Sequence, residues 1–208
     1  MLGWLKGRSL RRRTGQQLYE RIVAQSREPD LYLACRVPDT MDGRLEMVLL
    51  HTVLVLDRLQ PEGAAGQRIG QHLMEQLVAG VDDALRRIGL GDDSVAPRIK
   101  RLAGALAERA RDYREALHGA SASASASDGA TTSAADGPTL EAAFRNHVFG
   151  LEPQPTAAER SVAEHRLAAY VRRAQAHLAA MPAPAVLSGE ISFPPVVEPD
   201  AGQLENRA

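Results

Sequence analysis

One cysteine, Cys35, is all the sequence holds, so no disulfide can form within the chain and a disulfide-stapled scaffold is excluded. Aromatic residues make up only 4%, which leaves Leu, Val, Ile and Ala to build the core on closely packed helices. Strand alternation bounded by turn residues is missing, and an all-α fold is expected. Charge of one sign is missing too: 25 Lys and Arg stand against 26 Asp and Glu, which gives no general attraction to DNA. Apolar runs fall short of the ~18 residues of a membrane span. There is no Gly-rich phosphate loop, no His-Glu-x-x-His pair and no Cys/His zinc spacing. With no apparent cleavable signal, these absences point to a reducing, cytoplasmic compartment and to a chain with no cofactor and no metal.

What is present is helical periodicity, densest between Val37 and Leu59. Pro38 pushes Val37 toward an extended backbone, and Asp39 or Thr40 can accept from the free N–H groups of a first turn. The run Leu45–Leu56 is apolar nearly all round, broken only by Glu46, His51 and Thr52, so this helix needs neighbours on most sides and is the expected centre of a bundle. Before it, a helix is expected over Gln16–Ser26, ended by Pro29. After it, Pro61-Glu62-Gly63 makes a turn, and a third helix over 65–88 carries Ile69, Leu73, Leu77, Val81 and Leu85 at three- and four-residue spacing. Gly89 and Gly91 are its stops. A fourth helix over 95–117 buries Ile99, Leu102, Ala103, Leu106, Ala110, Tyr113 and Leu117, with Pro97 tolerated in its first turn.

The Ser/Ala alternation of 119–137 has nothing to bury and reads as a flexible linker inside the domain. A short helix over 139–149 turns Leu140, Ala143, Phe144, His147 and Val148 inward. Thr156 with Glu159 is a capping-box signature, opening a last helix with the stripe Ala163, Leu167, Tyr170, Val171, Ala174 and Leu178. About six helices thus form one bundle over 14–181. It is preceded by a basic segment, 1–13, and followed by a Pro-rich acidic tail, 182–208, expected to be disordered.

Three groups of polar residues offer chemistry. The first, Asp39, Asp42, Gly43, Arg44 and Glu46, sits at the start of the central helix. The second, around the next junction, includes Asp82, Asp83, Arg86, Arg87, Asp92 and Asp93. Together with Arg98 and Arg109 on the basic fourth helix, these form an Arg-plus-carboxylate patch suited to orienting a partner chain; helix caps and internal salt bridges are the structural alternative. The third group is Trp4, Lys6, Arg8, Arg11, Arg12 and Arg13, a mixture that fits an anionic membrane surface or an RNA backbone. His51 with Asp39, Asp42 or Arg44 would instead suit a haem-handling protein or small enzyme, although a buried histidine satisfied by a neighbour is the commoner case. Glu115-x-x-His118 has the spacing of half a di-iron site but lacks the second copy.

Several of these segments, in order, resemble one family. Leu18-Tyr19-Glu20-Arg21-Ile22-Val23-Ala24-Gln25 is followed by Val37-Pro38-Asp39-Thr40-Met41-Asp42-Gly43-Arg44-Leu45-Glu46-Met47 and by Leu50-His51. Asp82-Asp83-Ala84-Leu85-Arg86 and Ile88-Gly89-Leu90-Gly91-Asp92 come later. This register is similar to the ubiquinol-cytochrome c chaperone family, with weaker similarity over Phe144–Gly150. Leu45 departs from it where an aromatic usually follows Gly-Arg, as do Asp93 and Glu108. The resemblance implies a non-enzymatic, α-helical assembly factor for ubiquinol-cytochrome c reductase (respiratory complex III), in a bacterial form. Its implied client is newly made cytochrome b or a complex III intermediate, and its further implied partners are the ribosome and a second assembly factor. The implied location is the cytoplasm or the inner face of the cytoplasmic membrane, or the mitochondrial matrix in a eukaryote.

Overall fold

The computed structural model describes residues 2–87, 92–124, 139–151 and 156–198, with the side chains of 2–11, 92–96, 98–99 and 119–124 excepted. Among them are eight α-helices and no strand: α1 Leu2–Gln25, α2 Pro29–Leu33, α3 Met41–Leu59, α4 Gly63–Arg87, α5 Asp92–Ala124, α6 Leu140–His147, α7 Ala157–Ala180 and α8 Ala183–Ser188. A 3-10 turn, Gln60–Glu62, joins α3 to α4.

The central helix is α3. It buries Met47, Leu49, Leu50, Val53, Leu54, Val55 and Leu59 together with Glu46, His51 and Thr52, and it packs against α1, α4, α5 and α7. Each of those large apolar side chains stabilises the fold by ~1.5–3 kcal/mol relative to exposure, which outweighs the helix-propensity cost of the β-branched valines. Thr40 is the N-cap, its hydroxyl accepting from Gly43 N–H at 3.1 Å. Gly43 itself is required by close approach, because a Cβ there would sit 2.0 Å from the Pro38 carbonyl oxygen. The α1–α4 pair depends on a second such contact: a Cβ on Gly15 would meet His72 Cβ at 2.7 Å and the His72 carbonyl carbon at 2.9 Å.

Polar clamps join the remaining helices. Asp57 of α3 accepts from Arg114 at 3.0 Å and lies 3.1 Å from His118 on α5. His147 of α6 lies 2.8 Å from Asp112 of α5, and Arg145 of α6 holds Glu164 of α7 through two bonds. Arg58 donates to the carbonyls of Leu178 and Met181, tying α3 to the end of α7. The capping box of Thr156 and Glu159 is formed, and the whole expected stripe of α7 is buried.

Six expectations need correction. The first helix starts at Leu2 rather than Gln16, passing without a break across the 13/14 boundary, since its Leu and Arg residues are good helix formers. It ends at Gln25, and Pro29 opens α2 at a first-turn position where its missing N–H costs nothing. α5 starts at Asp92, which puts Pro97 inside the helix. Ala103 is exposed, and residues 119–124 of the expected linker continue α5, as alanine's propensity allows. Finally, residues 182–198 are packed rather than disordered. Val186, Ile191 and Val196 are buried, and Arg173 donates to the Val196 carbonyl at 2.7 Å. Prolines deny the chain hydrogen-bond donors but do not prevent burial of the apolar residues between them. The stops Gly89 and Gly91, together with 125–138 and 199–208, lie outside the described residues.

Candidate functional site

At the start of α3 the turn before the helix folds back on it. Asp39 accepts from Arg44 Nε at 2.6 Å, both side chains being more than half exposed, and this bond holds the Asp39 carboxyl below its ordinary range. The Arg44 guanidinium also lies 5.8 Å from the Tyr32 ring centre. Asp42 stands in the first turn, where the helix dipole favours negative charge. Glu46, one turn on, points inward and takes a bidentate ion pair from Arg109 of α5, with Nε 2.6 Å from Oε2 and Nη2 on Oε1. The two side chains are 7% and 14% exposed, so they are committed to each other and lock α3 to α5. Burial raises the Glu46 pKa against the pull of Arg109.

Two troughs flank this corner. The larger, about 690 Å³, has an apolar floor formed by Tyr19 and Val23 of α1, Leu45 and Val48 of α3, and Val81 of α4. Its rim carries Arg27, Asp39, Arg44, Asp83 and Arg87. The smaller, about 360 Å³, lies between α3, α4 and α5, with Leu49, Leu102 and Ala105 inside and Asp42 and Arg101 at its edge. Met41, Leu45, Val81 and Leu85 line both, so the troughs adjoin along one apolar seam. Met41 on that seam is 53% exposed, whereas farther along α3 the same helix is covered on all sides. Among the described residues, the bundle is open at this end.

Of the residues expected to meet a partner, Asp39 and Arg44 line the larger trough, and Asp42 and Glu46 the smaller. Gly43 is buried beneath the turn. Asp82 and Arg86 pair on the surface of α4 at 3.0 Å and line neither trough. Their neighbours Asp83 and Arg87, 3.6 Å apart, are at the rim instead. The side chains of Asp92, Arg98, Trp4, Lys6, Arg8 and Arg11 lie outside the described residues, while Arg12 and Arg13 are exposed. The sequence puts Met41 in the turn before the central helix, Leu45 at the head of its apolar run and Val81 and Leu85 in the core stripe of α4, and gives Arg27 no site role. That the covering stops short of these residues is a tertiary fact with no local signature.

His51 is fully buried, and both ring nitrogens are engaged. Nδ1 lies 2.6 Å from the Met47 carbonyl, which can only accept, so the proton is on Nδ1. Tyr170 O–H then donates to Nε2 at 2.7 Å and itself accepts from Gln25 at 3.0 Å. Phe193 packs edge-on against the ring at 5.1 Å. Burial pushes the His51 pKa down to about 4. None of Asp39, Asp42 and Arg44 is among its hydrogen-bond partners. Cys35 is 1% exposed, and burial pushes its thiol up to about 11, far from a reactive thiolate. Among the described residues no group of His, Cys, Asp and Glu could hold a metal ion, and no helix is long and apolar enough to cross a membrane.

Comparisons with known proteins agree with this architecture. Residues 33–193 match the family described as ubiquinol-cytochrome C chaperone. The chain is 30% identical to the protein in the crystal structure of the Cbp3 homolog from Brucella abortus, over 94% of this chain and 98% of that one, with a TM-score of 0.71. A search of curated proteins returned no match.

Proposed function

The chain belongs to the ubiquinol-cytochrome c chaperone family, and on that premise we propose that it is a non-catalytic assembly chaperone for ubiquinol-cytochrome c reductase. Its client is newly made cytochrome b or an intermediate containing it. The observation that carries this reading is the apolar seam of Met41, Leu45, Val81 and Leu85, exposed at Met41 and half-buried at the other three among the described residues, between two troughs with a charged rim. A rigid helical scaffold with an apolar groove can cover a client's helix until its own partners arrive, and rim charges select orientation more than they add affinity.

Basic residues at the start of the chain, from Lys6 to Arg13, supply a second contact, to the ribosome or to anionic lipid at the membrane where the client inserts. On this reading the protein works in the cytoplasm, at the inner face of the membrane. The engagement of both His51 nitrogens within the core supports a structural role for that residue over haem or substrate binding.

Deleting the gene and quantifying assembled ubiquinol-cytochrome c reductase in isolated membranes tests the proposal. A severalfold loss of mature complex with normal transcript levels is expected. Unchanged complex would remove the assembly role.

A further inference from the structure

The larger trough has a charge imbalance that narrows what can fill it. Its rim holds three guanidinium groups, Arg27, Arg44 and Arg87, against two carboxylates, Asp39 and Asp83. Arg44 is taken by Asp39 at 2.6 Å and Arg87 faces Asp83 at 3.6 Å. Arg27, exposed just beyond the end of α1, has no ion-pair partner among the described residues. One cation is therefore left over beside an apolar floor.

The floor also has a shape preference. Met41, Leu45 and Val48 follow one another at i, i+4 and i+7 along α3, and Val81 and Leu85 at i and i+4 along α4. Rows at this spacing form ridges that interdigitate with those of another helix. Most of the lining residues belong to α1, α3 and α4, and among the described residues there is no strand, so the trough offers no sheet edge to which a strand could add.

Resting on the assembly-chaperone reading, we propose that the larger trough receives an amphipathic helix of the client, carrying a carboxylate beside its apolar face, and that Arg27 meets that carboxylate. The smaller trough extends the same apolar surface across the Met41–Leu45 ridge.

Fluorescence anisotropy with the full chain and three labelled 18-residue peptides tests this. One is an amphipathic Leu/Ala helix with a Glu beside its apolar face, the second has Lys at that position, and the third is the Glu peptide scrambled to lose its apolar face. The Glu peptide is expected to bind at least fivefold more tightly than the Lys peptide, and the scrambled one weakly. Arg27→Glu should reverse the order of the first two. Ala84→Trp, at an exposed position lining the trough, should weaken both without loss of helical circular dichroism. Equal affinities for the Glu and Lys peptides, indifference to Arg27→Glu, or tight binding of the scrambled peptide would overturn the proposal. So would a dimer in sedimentation equilibrium that Ala84→Trp abolishes, because a second copy would then fill the trough. If the peptides fail while gene deletion still depletes the reductase, only the trough assignment falls. Peptide binding with normal reductase levels in the deletion strain would remove the chaperone reading and leave the trough standing.

Discussion

At the scale of single residues, His51 makes stability depend on pH in a direction set by its burial. Its pKa falls from the ordinary 6.5 to about 4 in the folded chain, so between those values the unfolded chain takes up a proton that the folded one refuses. Stability is fully present above pH 6.5 and is lost as the pH drops toward 4, by on the order of 3 kcal/mol in all. Urea denaturation at pH 7 and pH 5 should show about 2 kcal/mol of this loss in the wild type. His51→Gln, though less stable at pH 7, should lose correspondingly less; equal losses in the two proteins would exclude the histidine as the cause. That His51 is buried could be read from its apolar neighbours in sequence. Its partners could not, because Tyr170 lies 119 positions away on another helix.

Among elements, the Glu46–Arg109 pair decides how α3 meets α5. Arg109→Met would leave a buried carboxylate without its cation, at a cost of about 3–5 kcal/mol. The double variant Glu46→Leu with Arg109→Met should recover most of that loss in urea denaturation, and a double variant no more stable than the single one would mean that packing, not charge, holds the junction. Elements with strong local cues were evident in the sequence: α3 through its apolar run and Thr40 cap, α7 through its capping box and stripe. α2 and α8 were not, since they are five and six residues long and prolines mask them. The sequence groups Glu46 with Asp39, Asp42, Gly43 and Arg44 as a patch for a partner chain, with internal salt bridges as the alternative, and the structure pairs it with Arg109 inside the bundle. Only the helix rotation, which turns position 46 inward toward α5, separates its role from theirs.

For the molecule as a whole, residues 182–198 are part of the core. It contributes Val186, Ile191 and Val196 to the buried cluster and sets Phe193 against His51. Ending the chain at Met181 should therefore lower the thermal midpoint by several degrees, in line with the ~2–4 °C expected per kcal/mol for a chain of this size. A truncated protein melting with the full chain would show that this strap adds nothing. The same core encloses Cys35, whose thiol is both shielded and held protonated. With no second sulfhydryl in the chain, alkylating reagents can react with it only through excursions that part α2 from its neighbours, so the native protein carries its own chemical clock for how often the bundle comes open.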